Sequence, residues 1–277
     1  MSVTGGPDLL YVLARRVLLD ALEALGEQRT AVILVGAQAI YLHTGEADLA
    51  VAPYTTDADL AFVPPDLLPE PRLHECLEAA GFRRTPDIGI WEKQVPGDRP
   101  VSVAVDLLVP ELLGGPGRRA ARLGPHGDRV ARKVRGLEAA VVDRARMAIG
   151  SLDREDPRGF DVAVAGPAAL LVAKLHKIED RANTERAAAK DALDLLRLLR
   201  AVPTARLAAR LRVLLRDDGS AEVTREALEY LERQFAGRRR RGALMAAQAA
   251  VPLEDPDTIA ASCAVLAGDL LEAIRRG

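Results

Sequence analysis

The sequence predicts an α+β fold, with a mixed β-sheet and packed helices over residues 1–165 and a helical bundle over 166–277. Two observations carry this. Short apolar runs of strand length alternate with helix-spaced segments in the first part, in the order helix, strand, helix, strand, helix, strand, strand, which suits a mixed sheet with helices laid on it. After Gly166-Pro167 the spacing turns helical to the C-terminus, with breaks at Pro203, Gly219 and Gly237, as in a small bundle with short loops.

Leu9, Leu10, Leu13, Val17, Leu18, Leu22 and Leu25 recur at helical spacing, with Gly26 as the stop. Residues 31–35 read as a buried strand, 38–43 as a helix and 59–63 as a strand. A helix over 67–80 ends at Gly81, and strands over 84–94 and 101–109 are joined by a turn at Pro96-Gly97-Asp98. Residues 137–142, 144–149 and 160–164 extend the sheet as further strands. The helices of the second part are expected at 168–180, 187–200, 204–215, 221–235 and 257–274. Arg238 to Arg241 reads as a solvated helix end.

Composition bounds the function. Hydrophobic residues make up 49% and charged residues 28%, an ordinary globular balance. Aromatics are 3%, so bases would lie on aliphatic or arginine surfaces rather than on an aromatic platform, and the net charge of −2 supplies no global field toward nucleic acid. Cys76 and Cys263 have no metal-ligand spacing and fit a reducing, cytoplasmic setting. The apolar N-terminal segment is broken by Arg15, Arg16, Asp20 and Glu23, which reads as neither a signal peptide nor a membrane span.

The chemistry concentrates in two stretches. Val32-Ile33-Leu34-Val35 runs into Gly36-Ala37, which opens a helix, and Thr55-Thr56-Asp57-Ala58-Asp59-Leu60 follows. Residues i and i+2 of a strand point to one side, so Asp57 and Asp59 stand together. Carboxylates that close repel unless a cation lies between them, and hard oxygen ligands suit Mg²⁺ or Mn²⁺ with substrate phosphate completing the shell. Free N–H groups at the helix start seat phosphate. Asp106, inside Val103-Ala104-Val105-Asp106-Leu107-Leu108-Val109, is a third acid in an apolar run, where carboxylates are rarely buried without a partner. By contrast, Asp255-Pro256-Asp257 has the same spacing but reads as a helix cap. The plain alternative for Asp57 and Asp59 is a solvated strand end.

These motifs resemble the nucleotidyltransferase superfamily of DNA polymerase β type, and within it the AbiEii-like toxin group. There an apolar strand leads to Gly-(Gly/Ser), a helix and Asp-x-(Asp/Glu), with a later third carboxylate. The matching residues are Gly36, Ala37, Asp57, Asp59 and Asp106; Ala37 stands where the group has Gly or Ser, and the spacer to Asp57 is long. The second part carries Pro167-Ala168-Ala169-Leu170-Leu171-Val172-Ala173-Lys174-Leu175, then Arg181, then Lys190-Asp191-Ala192-Leu193-Asp194-Leu195. This is similar to the same group's C-terminal signature, and the resemblance implies Lys174 as a phosphate ligand supported by Arg181, Lys190 and Asp191. On helical spacing alone, Lys174, Lys177 and Arg181 form a basic surface stripe, and His176 an incidental surface histidine.

The resemblance implies a mixed-sheet nucleotidyltransferase domain followed by the bundle, an NTP co-substrate, and transfer of a nucleoside monophosphate to an acceptor hydroxyl. Asp57, Asp59 and Asp106 would hold the metal. An RNA 3′ end in a toxin–antitoxin setting, with a cognate antitoxin as partner, is one acceptor. A small-molecule, antibiotic-type acceptor and a non-catalytic binding or regulatory role are the alternatives. The feature favouring RNA is residues 117–135, where Arg118, Arg119, Arg122, Arg129, Arg132, Lys133 and Arg135 face Asp128 alone. A solvated basic loop is the plain reading of the same stretch.

Overall fold

The computed structural model describes residues 9–45, 54–96, 100–181 and 188–276. Helix α1 (Leu9–Leu25) turns through Gly26–Ala31 into strand β1 (Val32–Val35) and helix α2 (Gly36–Thr44). Next come β2 (Asp57–Phe62), α3 (Leu73–Ala79), β3 (Arg83–Arg84), β4 (Ile90–Val95), β5 (Val101–Pro110), β6 (Arg132–Val134), α4 (Glu138–Val142), β7 (Arg144–Gly150) and β8 (Gly159–Ala165). Six helices follow among the described residues: α5 (Pro167–Asp180), α6 (Ala188–Ala201), α7 (Thr204–Arg216), α8 (Ala221–Phe235), α9 (Arg241–Ala250) and α10 (Pro256–Arg275). The α+β class with C-terminal helices is the one the sequence predicts.

The chain divides into two compact units. The first comprises Met1–Gln38, Ala52–Val134 and Ala145–Val164; the second comprises Ala39–Val51, Arg135–Arg144 and Ala165–Gly277. The sheet order is β3-β4-β5-β2-β1-β8-β7, with β6 on β5. It is mixed: β1 runs antiparallel to β2 and parallel to β8, and β2 runs parallel to β5. Helix α1 packs on β2 and β5. Its Leu18, Leu22 and Leu25 are wholly buried, each stabilising the unit by about 1.5–3 kcal/mol relative to exposure.

In β5, Val103, Val105 and Leu107 are buried, whereas Ser102 is exposed and Ala104 and Asp106 are half-buried. That period of two leaves the Asp106 side of the strand accessible. One edge of β5 is shared by two strands: β4 covers it from Val101 to Asp106, and β6 pairs beyond, with Leu108 beside Arg132. In the second unit α5 packs against α4, α6, α7 and α8, which buries it on several sides.

Several expected elements differ. Residues 137–142 form helix α4 rather than a strand. Gly136, at φ +91, ends the preceding extended segment, the Glu138 carboxylate accepts from its N–H at 2.7 Å, and Ala139-Ala140 favour the helical turn. The helix expected over 67–80 begins only at Leu73, because Pro69 and Pro71 exclude a helix interior there. The strand expected over 84–94 is two, β3 and β4, joined through Thr85 and Gly89. Helix α9, which the spacing did not suggest, starts at Arg241, the last residue of the four-arginine run. The Asp255 carboxylate does cap α10, accepting from Thr258 N–H at 2.8 Å. The expected Pro96-Gly97-Asp98 turn lies largely outside the described residues.

Candidate active site

The sheet assembles the three acids through register. Asp57 and Asp59 are both in β2. In the parallel β2–β5 pair, Asp59 stands directly beside Asp106 and Asp57 beside Ala104, so all three side chains leave one face of the sheet. Asp59 is only 7% exposed. Across β1, Val35 is the register partner of Asp59, which brings the start of α2 over the same carboxylate.

Gly36 is required there twice over. Its φ is +71, a conformation that side chains resist. A Cβ at this position would stand 1.9 Å from Asp59 Oδ2, an overlap with the carboxylate. Gly36 and Ala37 are the first two residues of α2, and N–H groups in a first helical turn have no carbonyl partner within the helix.

Each acid also has protein partners. Thr55 Oγ1 donates to Asp57 Oδ1 at 2.5 Å, and the Arg132 guanidinium lies on Asp106 Oδ2. The backbone of Asp57 is fixed from behind. Gln38 Nε2 donates to the Asp57 carbonyl at 3.0 Å, and Arg15 Nε donates to Gln38 Oε1 at 2.8 Å. Arg15 itself is buried and donates to the Gly150 carbonyl and the Tyr11 hydroxyl. Burial pushes the Arg15 guanidinium below its ordinary range and the Tyr11 phenol above its own, while their mutual contact opposes both shifts.

The donor set fits a hard divalent cation in kind, since three carboxylates share one face and the missing Cβ of Gly36 gives the Asp59 carboxylate its place. As the side chains stand, no three His, Cys, Asp or Glu among the described residues are gathered into a metal cage.

The second unit holds a different ionic cluster. Lys174 Nζ on α5 donates to Asp191 Oδ1 at 2.6 Å and Asp194 Oδ2 at 2.8 Å on α6, and its side chain is 5% exposed. Arg181 donates to Asp191 Oδ2 at 3.0 Å, Lys177 approaches Asp191 at 3.5 Å, and the Tyr41 hydroxyl donates to Asp194 at 3.3 Å. Arg197 lies 4.0 Å from Asp194. Burial pushes the Lys174 ammonium down, but Asp194 and Asp191 outweigh it and hold the pKa far above the lysine range. Burial likewise pushes Asp191 up, and Lys174, Lys177 and Arg181 override it and hold the carboxyl well below the usual carboxylate range. Lys190 lies on α6 one residue before Asp191.

His176 is not a surface residue. It is buried, its Nε2 meets the Val223 carbonyl at 2.8 Å, and its ring sits edge-on to Tyr230. Burial lowers the pKa of His43, whose ring bonds the Ala165 carbonyl at 2.7 Å. Of the seven cations in 117–135, Arg118, Arg119, Arg122 and Arg129 are exposed. Arg132 is on Asp106, Lys133 donates to the Gly115 and Gly117 carbonyls, and Arg135 pairs with Glu222 and Glu226.

Sequence reasoning missed Arg15, Gln38, Thr55 and Arg132. Arg15 left a signal, since it interrupts the apolar stripe of α1 between Tyr11 and Leu18. Arg132 left none, being one cation among seven.

The model of a nucleotidyltransferase family matches residues 15–224, and the chain belongs to that family. The matched span runs from Arg15 through the three acids to α8. No curated protein and no solved structure matches the chain significantly. No helix among the described residues is long and apolar enough to cross a membrane.

Proposed function

We propose that this chain transfers a nucleoside monophosphate from an NTP to an acceptor hydroxyl, with its active centre on the Asp57, Asp59 and Asp106 face. The observation that carries the reading is the register of Asp59 beside Asp106 beneath the Gly36 helix start, within a chain of the nucleotidyltransferase family. Asp57 and Asp59 would hold the nucleotide-bound Mg²⁺ or Mn²⁺, and Asp106 a second ion. Bound there, the metal would neutralise phosphate charge and favour in-line displacement at the α-phosphorus. The Gly36 and Ala37 amides receive phosphate oxygens at the α2 start. Asp106 orients the attacking hydroxyl, and Arg15 with Gln38 holds the Asp57 backbone in place.

With its ammonium committed to Asp191 and Asp194, Lys174 takes the role of a positioning residue that ties α5 to α6. Arg181, 40% exposed, is anchored on the same Asp191.

RNA is the acceptor favoured here, because Arg118, Arg119, Arg122 and Arg129 form an exposed basic run in the same unit as the acids. The AbiEii-like toxin assignment and a cognate antitoxin rest on the sequence motifs. The test is transfer of ³²P from each α-labelled NTP onto total RNA, and onto a panel of small hydroxyl compounds. RNA labelling that stops in the Asp59→Asn protein supports the reading. Labelling of small compounds only moves the acceptor to the antibiotic type. No transfer to either, with NTP still bound, favours a non-catalytic binding protein.

A further inference from the structure

The segment carrying Arg132 is fixed on both sides. On one side β6 pairs with β5 just past Asp106, Arg132 lying beside Leu108. On the other, Ala120 pairs with Arg132, Ala121 N–H donates to the Ala131 carbonyl at 3.1 Å, and Lys133 N–H donates to the Arg119 carbonyl at 2.8 Å. Gly89 sets the approach. Its N–H donates to the Arg129 carbonyl at 3.3 Å and its carbonyl accepts from Leu107 at 2.7 Å. At φ +75, any Cβ on it would stand 2.6 Å from the Arg132 nitrogen and 2.7 Å from the Leu107 oxygen. Backbone geometry therefore delivers the Arg132 guanidinium to Asp106. The two side chains are 22% and 14% exposed, close enough to solvent for an ion to reach them. Arg132 Nε is buried without a hydrogen-bond partner among the described residues, so the guanidinium is held at its tip and not along its length.

We propose that Arg132 is the resident counter-ion of Asp106 and competes with a divalent cation for that carboxylate, so that the second metal binds only as the guanidinium swings away. This rests on the reading of Asp106 as a metal ligand. A cation that leaves when metal arrives makes filling of the second site depend on the segment that carries Arg132, held between β5 and the Arg119–Ala121 stretch. Arg132 is then a positioning residue for Asp106, and its effect must be visible in metal binding without turnover.

The experiment is titration of the NTP-free protein with Mn²⁺, reading free Mn²⁺ by electron paramagnetic resonance. Arg132→Gln should tighten the weaker Mn²⁺ site by about tenfold, the scale of losing one charge-assisted competitor. Arg132→Lys, which keeps the charge, should stay within about threefold of wild type on the same reasoning. In an Asp106→Asn background, Arg132→Gln should change nothing. Equal or weaker Mn²⁺ binding by Arg132→Gln overturns the proposal, as does the same tightening with Asp106→Asn, which would be a general charge effect. Absence of Mn²⁺ binding in every variant would overturn the metal reading together with the proposal. Should Arg132→Gln fail to fold, the wild-type Arg132 Nε–H resonance in ¹⁵N-arginine protein serves: Mg²⁺ should shift it, and a signal that does not move defeats the competition.

Discussion

Two groups of aspartates in this molecule look alike in sequence and differ in what surrounds them. Asp191 and Asp194 sit on successive turns of α6, sealed from solvent, with Lys174 bonded to both and Arg181 and Lys177 on Asp191. Every shift there drives the groups further into their charged, paired forms. Asp57, Asp59 and Asp106 instead crowd one face of a sheet, with a side-chain-free Gly36 over one of them and a part-exposed arginine on another. Charge balance with burial makes the first cluster a clamp between helices. Acids gathered on one sheet face, with one arginine among them, make up the set proposed above to hold a cation. Dense ionic residues alone therefore do not mark a reactive centre.

The largest separation between the clusters should appear in activity. Asp57→Asn and Asp59→Asn should each lower nucleotide transfer by about 10²–10³-fold or more, the scale of losing a positioned electrostatic group. The melting temperature should hold or rise, since like-charge repulsion is relieved. Full activity in either variant would break the comparison.

Stability should show the reverse pattern. Lys174→Met leaves two buried carboxylates without their main partner and should cost about 3–5 kcal/mol in urea unfolding. A cost below about 1 kcal/mol, the exposed-pair scale, would return Lys174 to the surface.

Gly36→Ala sharpens the first cluster. The added Cβ meets the Asp59 carboxylate and φ +71 is unfavourable, so a loss of about 1–3 kcal/mol is expected, with weakened NTP binding. Unchanged NTP affinity by calorimetry would remove the α2 start from the site.

The smallest effect is in pH dependence. Asp191 titrates below its ordinary 3.8 in the folded chain. The unfolded chain therefore binds its proton first, so the stabilisation is present above that value and is lost as pH falls through the lower folded pKa. Lys174 titrates above its ordinary 10.5, so its contribution is present below that value and is lost only as pH rises through the higher folded pKa. The contribution of this clamp should be flat from about pH 5 to 9 and decline under strong acid, read as the urea midpoint of wild type relative to Lys174→Met. A steep change near neutrality in that difference would contradict the clamp.

The fold was legible where one period dominated. The α1 stripe, the apolar run into Gly36 and the helices after Gly166 follow directly from spacing and breaker residues. The short run over 137–142 was not, because five apolar residues around Glu138 fit a strand or a buried helix equally, and the Glu138 carboxylate reaching back to Gly136 decided it. At the site, Asp57 and Asp59 share a face by strand geometry alone. Their alignment with Asp106 depends on long-range register, which no local pattern encodes. Lys174 was misplaced on a surface stripe because that rule assumes a helix with one wet side, whereas α5 packs against four others.

The most direct test of the contrast between the clusters is a crystal of the protein with Mn²⁺ and a non-hydrolysable NTP analogue, measured at the manganese edge. The contrast predicts anomalous density among Asp57, Asp59 and Asp106, with Arg132 displaced from Asp106, and none at Asp191 and Asp194. Manganese at the α6 pair, or nucleotide bound with no metal at the sheet carboxylates, would contradict it.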